Sequence, residues 1–230
     1  MTVEFEERGV RYELKMMYDA TLAPQVRGWV QLHPAGFITP FPPRRVNNIY
    51  FDTYDLDTYN DHIESVNLRR KLRFRWYGEN LELARGQIEV KNKSERSGWK
   101  LVQPVDIELD LRRADWASIH AALLAKTDGI FHQLLAVARP LVINTYWREY
   151  YVSADEAIRL TLDFDLTNYD QWLCARPNLD FKTPHRDGLV MELKCDLNHA
   201  RQLADVIAAF PQRANAYSKF VTALDAWVGR

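Results

Sequence analysis

Arginine and lysine recur at every second residue along several stretches of this 230-residue sequence. In 67–77 (NLRRKLRFRWY), Arg69, Lys71, Arg73 and Arg75 fall on one side of an extended chain. Leu68, Leu72, Phe74 and Trp76 fall on the other, and Arg70 breaks the pattern. The same alternation sets Gln87, Glu89, Lys91 and Lys93 against Ile88 and Val90, and Arg11, Glu13 and Lys15 against Tyr12, Leu14 and Met16. It groups Asn144, Tyr146, Arg148 and Tyr150; Arg159, Thr161, Asp163 and Asp165; and Glu192, Lys194 and Asp196. Neighbours on one strand face lie about 7 Å apart and adjacent strands about 4.8 Å apart. Cations at that spacing repel one another unless an anion or interleaved carboxylates compensate them. A surplus of cations favours a highly anionic ligand such as a chain of phosphates. Glu13, Glu89, Asp163 and Glu192 on the same faces would repel that ligand unless a divalent cation bridges carboxylate and phosphate. Phosphoryl transfer, which needs positioning and charge neutralisation above all, is the chemistry that such a face suits.

Period-two alternation reads as β-strands, and 47–52 and 103–109 add two more, for about eight. Helices are expected at 21–32, as two within 115–138 broken near Asp128-Gly129, at 199–210 and at 218–228. The stretch 39–45, with Pro40, Pro42 and Pro43, reads as an extended loop. The fold class expected is α+β: an eight-stranded antiparallel barrel, polar inside and apolar outside, with helices packed on the outside. No repeat or long linker divides the chain, so a single domain over 1–230 is expected.

Composition narrows the alternatives. Thirty basic residues against thirty-one acidic ones leave a net charge of −1, so any basic site is local, not a property of the whole surface. Hydrophobic residues at 47% and charged residues at 27% are a globular balance. Two cysteines, Cys174 and Cys195, suit a reducing compartment. Glu4, Glu6 and Glu7 stand where a signal peptide would carry a basic start, and no apolar run reaches the ~18 residues of a membrane span. The expectation is a soluble, cytoplasmic protein. The six histidines form no ligand spacing, and no glycine-rich phosphate loop occurs. Most aromatic residues share faces with leucine and isoleucine, which argues against a nucleic-acid partner, since base-stacking aromatics interleave with cations.

The segments Arg11–Lys15, Ile49–Thr53, Leu72–Tyr77, Ile88–Lys91, Tyr146–Arg148, Arg159–Asp163, Met191–Lys194 and Ser218–Phe220 occur in an order that resembles VTC-type polyphosphate polymerase domains, of the triphosphate tunnel (CYTH-like) superfamily. The resemblance implies a tunnel that takes ATP with Mn2+ or Mg2+ and passes the γ-phosphate to a growing polyphosphate chain. It implies that Arg73, Arg75, Lys91, Arg148 and Arg159 are the catalytic cations. Together with Lys15 and Lys219 they would bind phosphate, and Glu192 would be the metal ligand. Lys100 belongs to this set where family members carry a basic pair, although Leu101 and Val102 follow it here. Lys93, Arg96 and Lys194 are candidates from the alternation itself. ATP, polyphosphate or tripolyphosphate are the partners implied, and a membrane-protein partner is possible because eukaryotic relatives work beside membrane subunits. The hydrolytic members open with Glu-x-Glu-x-Lys, whereas Arg11 occupies the first position here, which weakens a metal-dependent triphosphatase reading. Asn215-Ala216-Tyr217 stands where the family often has another basic residue. The remaining alternative is a non-enzymatic binder of polyphosphate or another polyanion.

Overall fold

The computed structural model describes residues 8–94, 97–183, 188–213 and 217–228. Glu4, Glu6, Glu7, Arg96, His185 and residues 215–216 lie outside them. The alternating stretches form strands, all but β3 extending beyond the patterned centre. They are β1 (Arg8–Asp19), β2 (Arg44–Asp52), β3 (Leu68–Tyr77), β4 (Leu83–Ser94), β5 (Ser97–Asp110), β6 (Arg139–Val152), β7 (Ile158–Asp170) and β9 (Gly188–Asp196). A two-residue strand, β8 (Lys182–Thr183), carried no sequence signal because two residues cannot show a period.

All pairings are antiparallel, in the order β6-β2-β3-β4-β5-β1-β9-β7-β8, and β6 also pairs with β7. Eight strands therefore form a circuit in which each has two hydrogen-bonded neighbours.

Six helices complete the α+β architecture among the described residues. α1 (Ala23–Gln31), α3 (Trp116–Leu124), α4 (Gly129–Ala136) and α5 (Ala200–Ala208) cover the apolar sheet face. Asp115 caps α3 by accepting from the Ser118 N–H at 2.7 Å, and α4 starts at the Gly129 break. Phe74, Trp76, Ile88 and Val90 pack with Ile119 and Leu123 of α3 and Phe131 and Leu135 of α4. Met16, Leu160, Met191 and Leu193 pack with Val26 and Val30 of α1 and Leu203 and Val206 of α5. Each such side chain contributes roughly 1.5–3 kcal/mol by burial.

Two helices depart from expectation. α2 (Asp57–Ile63) has no buried residue and so no apolar period to reveal it. Asp52 holds its start, accepting from the backbone N–H groups of Thr58 at 2.9 Å and Tyr59 at 3.0 Å, a capping role. α6 (Lys219–Val228) does not lie over the apolar face. Phe220 lies tilted against the Tyr50 ring, 5.3 Å between centroids, and packs with Leu141 and Val142, which brings the start of α6 to the charged face. No helix among the described residues is long and apolar enough to cross a membrane.

Candidate functional site

The polar face of the circuit lines a cavity whose empty volume, open solvent included, is about 870 Å³. Strand register decides which charges meet. On β3 and β4, Arg73 stands opposite Glu89, but Lys71 stands opposite Lys91 and Arg69 opposite Lys93. On β5, Lys100 stands opposite Lys91. On β1 and β9, Glu13 faces Lys194 and Lys15 faces Glu192. On β6 and β7, Arg148 faces Asp163.

Three carboxylate centres result. Glu89, 0% exposed, accepts from Arg73 Nε at 2.7 Å, Lys100 Nζ at 2.6 Å and Gln87 Nε2 at 2.6 Å. Burial opposes its ionisation, but Arg73, Arg75 and Lys100 outweigh that and hold it well below the usual carboxylate range. Arg75 donates to Asn48 Oδ1 at 2.8 Å and to the Tyr146 hydroxyl at 3.2 Å. Asp163, 1% exposed, takes both ends of the Arg148 guanidinium at 2.6 and 2.7 Å and the Lys219 ammonium as well.

Glu13 and Glu192 form the third centre. Lys91 Nζ lies 2.7 Å and Lys15 Nζ 2.9 Å from Glu13. Lys194 Nζ lies 2.9 Å, Lys15 Nζ 3.5 Å and Arg148 Nη2 3.6 Å from Glu192. Burial and the neighbouring Glu192 would raise the Glu13 carboxyl, yet Lys15, Lys91 and Lys194 bring it to about 2. Glu192 is likewise held well below its usual range against burial, chiefly by Lys194 and Lys15.

Among the described residues, ten basic side chains line this cavity against two carboxylates. Crediting Glu89 and Asp163 against them still leaves six basic side chains in excess of carboxylates. The surplus is concentrated around Lys71. Among the described residues no carboxylate lies within ion-pair distance of Lys71 Nζ. Burial, then Lys15, Lys91, Arg69 and Lys93, press its pKa well below the usual lysine value. Arg69 Nε is buried without a hydrogen-bond partner. His62 is driven down to about 4 by burial, then by Lys71, Arg69 and Lys93, so it stays neutral near pH 7. A buried donor with no acceptor and cations facing cations are what an anion would relieve.

The predicted residues divide accordingly. Lys15, Arg73, Arg75, Lys91, Lys93, Arg148, Glu192, Lys194 and Lys219 all line the main cavity. Lys100, opposite Lys91 on the same sheet face, is not among the lining residues and pairs with Glu89 at 2.6 Å. Arg159 lines a second cavity, of about 470 Å³ empty volume, with Arg11, Asp155, Asp196 and His199. Arg159 is the cross-strand partner of Lys194, which lines both cavities. Arg11 donates to Asp196 at 3.3 Å. Arg69 and Lys71 were on the predicted face but outside the predicted site, although their alternation with Arg73 and Arg75 carried the signal. His62 and Tyr217 had none, and Ser218 stood only in the Ser218–Phe220 segment of the resemblance, because α2 and the approach to α6 reach the cavity only by tertiary packing.

As a metal site, the donor set is limited. Among the described residues no three histidine, cysteine, aspartate or glutamate side chains come together as a self-contained site. Glu13 and Glu192, close enough to act on each other's titration, fit a hard divalent cation that takes its remaining ligands from phosphate oxygens and water.

An α+β protein with a closed strand circuit and a cation-rich cavity is the class that fold and site define. The chain belongs to the VTC domain family, whose sequence pattern matches residues 10–228. No curated protein matches it. Among solved structures, a Vibrio parahaemolyticus protein provisionally described as an adenylate cyclase is 12% identical, with a TM-score of 0.50 over 90% of this chain and 94% of its own. PH1819 from Pyrococcus horikoshii OT3 is 13% identical, with a TM-score of 0.47 over 94% of this chain and 98% of its own.

Proposed function

We propose that this VTC domain is an ATP- and divalent-metal-dependent polyphosphate polymerase, and that the eight-strand circuit is the barrel of a triphosphate tunnel. The reading includes a cytoplasmic setting, in keeping with two free cysteines. The observation that carries it is the cation surplus at Arg69, Lys71 and Lys93, beside Lys91. Among the described residues no carboxylate lies in ion-pair contact with these three, and a chain of phosphates matches them in charge and spacing.

The residues divide the work by their pairing. Arg69, Lys71 and Lys93 hold one stretch of the phosphate chain as the groups least compensated by protein. Arg73, Arg75 and Arg148 present guanidinium groups pre-oriented by Glu89, Asn48 and Asp163, so little rotamer entropy is lost when they donate to phosphate oxygens. Lys219, held by Asp163, closes the cavity from α6. Glu13 and Glu192 would hold the divalent cation, which supplies neutralisation of charge on the phosphate oxygens during transfer. Arg11, tied to Asp196, leaves the hydrolytic members' first glutamate position without a carboxylate, which favours transfer over hydrolysis.

Incubation with ATP and Mn2+ tests the reading. Long phosphate chains are expected; free orthophosphate would indicate a triphosphatase, and unchanged ATP a polyanion binder. Glu192→Gln should abolish metal-dependent turnover while leaving metal-free tripolyphosphate binding equal or tighter. A purely ion-pairing Glu192 would instead lower the melting temperature and reduce turnover only with the folded fraction.

A further inference from the structure

Lys71 has one hydrogen-bond partner among the described residues: the hydroxyl of Ser218, with Nζ and Oγ 2.7 Å apart. Ser218 immediately precedes α6, and its Oγ accepts from the Val221 N–H at 3.4 Å. A capping role explains that contact. It uses one lone pair of the oxygen and leaves the hydroxyl hydrogen free, and it gives no reason for a buried lysine at Oγ. Both residues line the main cavity. Lys71 packs against the Phe220 ring at 5.6 Å, and Lys91 stands opposite it on β4. The other charged groups that act on it most strongly, Lys15, Arg69 and Lys93, are cationic.

We propose that Ser218 is a phosphoryl acceptor, taking the terminal phosphoryl group of a nucleoside triphosphate or polyphosphate with Lys71 as its base; this rests on the phosphate-chain reading above. The neutral amine that burial and like charges favour on Lys71 is the form that accepts a proton. Ser218 Oγ forms a bond to the terminal phosphorus as the bond from that phosphorus to its bridging oxygen breaks. The bridging oxygen keeps the electron pair and leaves as a nucleoside diphosphate or a polyphosphate one unit shorter. The hydroxyl proton passes to Lys71 Nζ. The product sets a phosphoserine dianion beside the new ammonium and at the first turn of the ten-residue α6, where backbone N–H groups favour negative charge. A protein-bound phosphoryl group would be the acceptor on which a phosphate chain starts.

The experiment is incubation of the whole protein with ATP labelled in its terminal phosphate and Mn2+ or Mg2+, followed by intact mass and peptide mapping. Tripolyphosphate binding is measured in parallel by calorimetry. One acid-stable phosphoryl group on Ser218 is expected in the wild type and none in Ser218→Ala. Lys71→Met should slow labelling by about 10²–10⁴-fold, the range for a positioned base. A wild-type protein that binds tripolyphosphate but takes no label overturns the acceptor role alone. So does label on any other residue, including an acid-labile group on Lys71. A wild-type protein that does not bind tripolyphosphate overturns the phosphate-chain reading and this inference with it.

Discussion

Two cations on the same strand face, Arg73 and Lys71, should respond oppositely to removal, because only one of them has an acid. Alternation alone predicts that deleting either relieves repulsion. The pairing of Arg73 with Glu89 reverses that expectation for Arg73, since its loss leaves a fully buried carboxylate with Lys100, Gln87 and a more distant Arg75. Arg73→Ala should destabilise the unliganded protein by about 3 kcal/mol, the low end for breaking a buried pair because partners remain. It should also cost about 2–4 kcal/mol in tripolyphosphate affinity. Lys71→Met removes a buried amine with no acid beside it, so the melting temperature in phosphate-free buffer should hold or rise. Thermal melts of both variants, with and without tripolyphosphate, check the pair; a melting temperature that rises in Arg73→Ala would mean that Glu89 is not its partner.

At the scale of elements, the β3–β4 pair is what sets cation against cation, and it depends on one glycine. A Cβ on Gly86 would lie 1.9 Å from the Arg75 carbonyl oxygen on β3, a backbone atom that cannot rotate away. Gly86→Ala should therefore part the two strands beside Trp76, costing at least about 3 kcal/mol. Arg75 and Arg73 would move with the strand, so tripolyphosphate affinity should fall even in the folded fraction. Chemical denaturation and calorimetry on Gly86→Ala read both effects. Wild-type affinity in that variant would show that strand position does not control the arginines.

For the molecule as a whole, the positive surplus makes ligand binding a proton-uptake reaction. Burial lowers Lys91 to about 8 despite Glu13, and lowers Lys100 to about 8 despite Glu89. Both lysines are therefore partly neutral near pH 8 in the empty cavity, and a bound polyanion raises both pKa values again. Affinity should be highest below pH 8 and should fall as the pH rises through 8 to 10, because protons must then be taken from solvent. Calorimetry at pH 8 in buffers of different ionisation enthalpy should show net proton uptake on tripolyphosphate binding. Proton release would mean that the carboxylates, and not the lysines, dominate the response.

The sequence by itself determined which residues share a face. A strand turns by half a revolution per residue, so alternation at Arg69–Arg75, Glu13–Lys15 and Glu192–Lys194 already separated the cavity wall from the apolar wall under α1, α3, α4 and α5. It also carried eight of the nine strands among the described residues and the resemblance that residues 10–228 bear out. Alternation says nothing about register, and register is what separates compensated cations from uncompensated ones: Arg73 opposite Glu89, but Lys71 opposite Lys91. Nor does it show how segments far apart in the chain pack. Only tertiary structure set Ser218 against Lys71, moved Arg159 into the second cavity with Arg11, and brought α6 to the charged face through Phe220 and Tyr50. Those contacts join residues up to 170 positions apart, between Tyr50 and Phe220, where no local period carries information.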